Sequence, residues 1–277
     1  LMDLFYWRAG TPILARTAGA QAVTLFTLGI SFSQYFMTAS TAISGVIAPK
    51  IMQMVALDST KEQLTRMMIR VGRLQLALLS VILVSFISCG HDFLHLWVGK
   101  TIGDQTGTVW VGAVIVLLPL LVPLTQNTGL AILQALNIHK GRAIILFYSS
   151  LLCVILGYFI SLYYGTIGMF IGTAISLFIG QVLMINRYYA RTAGLDMRRF
   201  FRRTYGPLLL PSAVMILAGL GAVALPTLDN WFSFLAFAFC YGLLAVGTIW
   251  FFYLNRDERD MFLGPLQKLI PSRHDKN

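Results

Sequence analysis

Six small polar side chains recur along an otherwise apolar stretch. Thr24, Thr27, Ser31, Gln34, Thr38 and Thr41 follow one another at spacings of 3, 4, 3, 4 and 3, inside a run without charge between Arg16 and Lys50. On a helix, neighbours at i+3 and i+4 share a face, so the six fall within an arc of about 100°. Leu25, Phe32, Phe36, Ile43 and Ile47 lie roughly opposite. Hydroxyl and amide groups in register without fixed charge can bond an uncharged polar ligand such as a sugar. A polar face inside a membrane must meet another helix or a water-filled cavity. Serine and threonine also serve as helix–helix glue, but six groups in register over five turns point to a cavity wall.

A second, weaker stripe consists of Gln126, Asn127, Gln134 and Asn137, preceded by Pro119 and Pro123. Proline removes a backbone donor and clashes one turn back, which predicts a kinked helix. Broken helices border substrate paths in transporters, and a kink that serves packing alone fits these residues equally well. His91, Asp92 and His95 have the types for a metal site, although a wet pair at the membrane edge accounts for them better. Asp3 is the one acid near a membrane path, and an exposed helix-end residue is its simpler role. Gly165, Gly168, Gly172, Ser176 and Gly180 line one face at a spacing that lets helix backbones approach closely, so that face is a packing surface.

The elements that carry these residues are membrane helices. Of 277 residues, 57% are hydrophobic and 12% charged, with a mean hydropathy of +0.74. An ordinary soluble domain is about 25% charged. A membrane-spanning helix needs about 20 mostly apolar residues, and seven stretches qualify: roughly 20–48, 71–90, 110–136, 142–163, 165–186, 207–226 and 231–254. The expected fold is therefore all-α, a polytopic bundle of about seven transmembrane helices. The strict alternation of a membrane β-barrel is absent. Cys89, Cys153 and Cys240 share no CxxC spacing and read as packing residues.

The formal charge of +10 is distributed unevenly. Assigned to alternate loops of the seven-span scheme, 18 of the 21 lysines and arginines fall on one side, and only Arg8, Arg16 and Lys100 on the other. Positive loops stay in the cytoplasm, which places the C-terminus inside. The run RRFFRR, residues 198–203, reads first as part of that topology signal and second as a contact for anionic lipid. Nucleic acid is not an expected partner, since no compact soluble domain carries the charge. No acid or base lies deep in any of the seven spans, so no proton relay is visible. Walker A, GxSxG and HExxH motifs are absent, and no cofactor or metal is expected.

Several segments together resemble a known family. TLFTLGISFSQYFMTASTAISGVIAPKI is similar to the helix after the central connection of bacterial polysaccharide flippases, and FLHLWVGK to their short external segment. GLAILQALNIHKGR, YYGTIGMFIGTAISLFIGQ and YYARTAGLDMRRFF resemble the next three landmarks in order. The set resembles the oligosaccharide (Wzx-like) flippase branch of the MATE/MurJ-like exporter superfamily. That family has two six-helix bundles around a central cavity, so the resemblance implies a C-terminal lobe. Residues 1–19 would be the end of a helix and an external connection, 20–190 a five-helix bundle, and 191–277 a basic loop, two extra helices and a tail. Nothing signal-like surrounds Leu1, and the chain is expected to be partial, its partner being the missing N-terminal half.

The implied activity is not enzymatic. It is the flipping of a polyprenyl-pyrophosphate-linked oligosaccharide across the bacterial inner membrane for cell-surface polysaccharide synthesis. Membrane lipids and the lipid-linked oligosaccharide are the implied partners. Thr27, Ser31, Gln34, Thr38, Thr41, Gln126, Asn127, Gln134 and Asn137 are the candidates for the path. Arg8 and Arg16 are candidate pyrophosphate contacts, with interfacial snorkelling the simpler role for Arg8. A small-molecule exporter of MATE type and a membrane-embedded glycan polymerase are the competing readings. The first should carry an intramembrane carboxylate, and the second acids or arginines on large external loops.

Overall fold

In the computed structural model, residues 6–223, 230–255 and 258–259 are described, 220–223 by their backbone alone. Asp3 and the tail cations Arg256, Lys268, Arg273 and Lys276 lie outside this set. The described chain is helical over almost all of its length. A short helix α1 (Gly10–Thr17) leads into α2 (Gly19–Ala56) and α3 (Lys61–Ile102). Next come α4 (Thr106–Thr125), α5 (Asn127–Ala135) and α6 (Lys140–Leu177). The chain continues through α7 (Ile185–Tyr188), α8 (Met197–Thr204), α9 (Leu209–Val223) and α10 (Trp231–Thr248). Among the described residues, three helical stretches are long and apolar enough to cross a membrane: Lys61–Thr125, Lys140–Ala193 and Trp231–Tyr253.

The first two of these stretches double back on themselves. Gly103 ends α3 at φ 57°, ψ −135°, and Gly165 interrupts α6 at φ 56°, ψ −131°. This left-handed backbone suits glycine because no Cβ is present to clash. At both glycines a Cβ would meet nothing within 4 Å, so the dihedral angle and not the available space demands the residue. After Gly103, α4 runs back along α3, with the Trp110 indole N–H donating to the carbonyl of Phe86 at 3.1 Å. After Gly165 the two arms of α6 pack so closely that a Cβ on Gly172 would lie 2.7 Å from the backbone of Gly157. The Ser149 hydroxyl donates to the carbonyl of Ser176 at 3.0 Å across the same seam. The glycine-lined face from 165 to 180 is thus a hairpin seam.

The other boundaries have local causes. Thr60 caps α3, accepting from Gln63 N while the Gln63 side chain accepts from Thr60 N, a reciprocal capping box. Asp196 caps α8 by accepting from Arg199 N at 2.8 Å. Pro119 and Pro123 precede the break at Gln126, where φ is −108° and ψ 14°. The predicted kink is therefore an interruption that separates α4 from α5. A second correction concerns residues 91–109, which fall between the expected spans 71–90 and 110–136 and are helical for most of their length. Helix α3 runs unbroken to Ile102, about 63 Å for its 42 residues, so His91 and His95 sit on exposed turns of a helix.

The core is centred on Phe170, fully buried on the second arm of α6. It fits only because Gly29 of α2 and Gly112 of α4 present no side chain to it, and its ring lies 5.0 Å from that of Phe26, tilted by 44°. Leu76, Leu79, Val116, Leu117 and Met169 complete this region without exposure. Helices α9 and α10 pack on α3, where the Tyr241 hydroxyl accepts from Ser88 at 2.9 Å and donates to the carbonyl of Met215 at 2.8 Å.

Candidate functional site

The polar stripe of α2 lies on the face that the rest of the described chain leaves open. Thr24, Thr27, Gln34, Thr38 and Thr41 are exposed and Ser31 is half-buried. The opposite face is packed: Leu25 and Phe36 are buried, and Phe32 rests on Phe86 at 4.6 Å. Four of the stripe's five hydroxyls bond their own helix. Thr24 donates to the carbonyl of Ala20, Ser31 to Leu28, Thr38 to Gln34 and Thr41 to Met37. Each of these four hydroxyl protons is thereby occupied, while the lone pairs face outward.

Helix α1 builds a cavity against this face. It packs antiparallel to the first half of α2, with Gly10 seated on Phe26. Just before it, the Tyr6 hydroxyl donates to the carbonyl of Thr173 at 2.9 Å and lies 2.6 Å from Ser176 Oγ. These contacts hold Arg8 and Thr11 beside Thr27, Ser31 and Gln34 in a cavity of about 760 Å³, also lined by Trp7, Pro12, Ile30 and Met37. Arg8 is the charged member of that lining. The lining residues of α2 lie 8 to 18 positions beyond Gly19, or about 12–27 Å along the helix. Arg8 thus stands level with the middle of an apolar helix. It lies two residues before α1 and outside every long apolar run of the sequence.

The remaining candidates are distributed differently. Thr38 and Thr41 continue the open face beyond the cavity lining, and Arg16 is exposed near the end of α1, outside that lining. Gln126 is buried and its amide donates to Asn186 Oδ1 at 2.8 Å. Asn127 donates to Ser40 Oγ at 2.9 Å. Gln134 and Asn137 are exposed near the end of α5, and Asn137 adopts φ 56°, the left-handed turn that stops the helix. The structure does not bring these four to the cavity. Trp7, Thr11 and Pro12 are lining residues that the sequence reading missed; the spacing of Arg8, Thr11 and Pro12 on one helical side was the available signal.

Two polar centres lie elsewhere. Ser40 is fully buried: its hydroxyl donates to the carbonyl of Leu124 at 2.7 Å and accepts from Gln75 and Asn127. Arg73, at the edge of an expected span, is buried in a bidentate pair with Glu258 at 2.6 and 3.0 Å. Among the described residues no three of His, Cys, Asp and Glu come together as a metal site would require.

A bundle of apolar helices with a cavity along one long helix belongs to the class of all-α, polytopic membrane helical bundles. The particular likeness is to the solved structure of the lipid II flippase MurJ in its inward closed conformation, with a TM-score of 0.57 and 16% identity. The match covers 93% of this chain and 53% of that one, so the chain spans about half the length of the flippase it resembles. No family model matches the chain, and no curated protein matches its sequence.

Proposed function

We propose that the chain is the C-terminal lobe of a flippase that carries a polyprenyl-pyrophosphate-linked oligosaccharide across the bacterial inner membrane for surface polysaccharide synthesis. The observation that carries this reading is the cavity that joins Arg8 to Thr27, Ser31 and Gln34 on the open face of α2. Outward hydroxyl lone pairs and the Gln34 amide suit sugar hydroxyls. The Arg8 guanidinium suits a phosphate oxygen. A cavity whose charged group is positive disfavours an organic cation, the cargo of the competing exporter reading. Polar groups on an uncovered face require a partner surface within a membrane, and a second helical lobe rocking against this one would provide it. The fold likeness to a flippase agrees with this arrangement.

The direct test is export of surface glycan in cells that depend on this protein. Arg8→Gln and Gln34→Leu should each cut export about tenfold or more, the worth of one charge-assisted or buried polar contact. Lipid-linked oligosaccharide should accumulate while protein level stays normal. Undiminished export in both variants would overturn the reading. The basic end of the bundle faces the cytoplasm in this proposal. Single cysteines at Asp104 and Asp196 should therefore label from opposite sides, with Asp104 outside; labelling of both from outside would reject the topology.

A further inference from the structure

A second cavity, about 820 Å³, lies at the other end of α2 and α3. Lys50 comes to it from α2, Arg66 and Arg70 from one face of α3, and Arg202 and Arg203 from the end of α8. Arg73 also lines it, beside Glu258, the one carboxylate among the described residues that do so. That carboxylate is already spent. It holds the Arg73 guanidinium through both oxygens and accepts from Asn255 N at 2.9 Å. Arg73 in turn donates to the carbonyls of Arg203 and Tyr253 at 2.9 and 2.6 Å, with its guanidinium over the Tyr253 ring. The pair thus pins the end of α8 and the segment after α10 against α3, and so builds the cleft wall.

A topology signal requires basic residues near a span but not their convergence from three elements. Arg198 and Arg199 illustrate the difference. Arg198 is exposed on α8 away from the lining, and Arg199 pairs with Glu62 at 3.2 Å. Arg66 shares that same solvent-exposed carboxylate at 3.7 Å, a contact worth little in water. The cleft lies where α3 passes from its charged first turns into its apolar length, and Met54, Met67 and Ile69 also line it. Concentrated positive charge beside apolar surface at a membrane boundary matches the phosphate of a lipid with its first methylenes.

We infer that this cleft binds the oligoanionic phosphate headgroup of a membrane lipid. Two sources share that chemistry, a polyprenyl diphosphate and a resident anionic phospholipid. The inference does not rest on the transport reading, because binding is measured without translocation. The whole protein, purified in an uncharged detergent, is titrated with a long-chain polyprenyl diphosphate, cardiolipin, phosphatidylcholine and inorganic pyrophosphate, and bound species are counted by native mass spectrometry.

One or both anionic lipids should bind at least about tenfold more tightly than phosphatidylcholine, the worth of one charge-assisted contact. Arg202→Gln and Arg203→Gln should each weaken that binding several-fold and together about tenfold, while Arg198→Gln, which removes one such charge outside the cleft, changes it less than about twofold. Lys50→Gln probes the cleft from a different helix, and an unchanged Tm identifies the variants that remain folded. Preference for the polyprenyl diphosphate assigns the carried lipid, and equal binding of cardiolipin assigns a resident one. Equal loss in Arg198→Gln, binding of inorganic pyrophosphate as tight as either lipid, or no preference over phosphatidylcholine overturns the inference.

Discussion

Ser40 and Thr38 stand two residues apart on α2, on opposite sides of the helix. Ser40 is fully buried, and its hydroxyl makes one donated and two accepted bonds to groups of α3, α4 and α5. Thr38 is exposed and donates only to its own helix, at the carbonyl of Gln34. The residue types are nearly interchangeable, yet one locks helices together and the other faces an open surface. A hydroxyl in a membrane helix is therefore interpretable only from its acceptor. A bond across to another helix means adhesion. A bond back one turn leaves the lone pairs for something outside the chain.

That contrast can be broken by substitution, most severely on the buried side. Ser40→Val would leave the Leu124 carbonyl and the amides of Gln75 and Asn127 without their shared partner, at about 1–3 kcal/mol for each group left unsatisfied. We expect a stability loss of about 2–4 kcal/mol in micelle unfolding, with a parallel fall in protein level. Asn127→Ala removes one member of the same network and should cost about 1–2 kcal/mol, an effect that reads as adhesion if protein level falls with export. Gln34→Leu on the open face should change stability by less than about 0.5 kcal/mol, so any loss of export at full protein level separates the two faces. Smallest of all, Thr38→Val should stay within about 0.5 kcal/mol. A cysteine at Thr38 should react with small water-soluble thiol reagents, while one at Phe36, which is buried, should not. Equal protection of both positions would erase the distinction.

Long apolar runs revealed the helices, and the boundary expected between residues 163 and 165 falls where Gly165 reverses the chain. Periodicity placed Thr27, Ser31 and Gln34 on one side, since α2 is continuous across them. The same reasoning failed for Gln126 and Asn127. An arc computed on a straight helix loses meaning where the helix stops, and α4 stops at Thr125. Ser40 was invisible because its role depends on Gln75 and Asn127, which arrive from other helices. Arg73 looked like the edge of a basic loop because its partner, Glu258, lies 185 residues along the chain. Local spacing contains no trace of such a pairing. Arg8 was a candidate only through the family resemblance, because its company with Thr27, Ser31 and Gln34 is tertiary.

The two glycine reversals have a consequence for how the chain enters a membrane. Three residues, Gly103–Gln105, join α3 to α4, and none separates the arms of α6. A three-residue link reaches at most about 10 Å, a third of the roughly 30 Å of hydrocarbon. Neither arm can wait on one side of the bilayer while the other crosses, so the hairpin and not the single helix is the unit of insertion. A flexible insert of thirty residues at Gly103 should uncouple the arms, seen as independent integration of α3 and α4 during synthesis. Unchanged joint integration would show that the pairing of the arms, rather than the short tether, drives their entry.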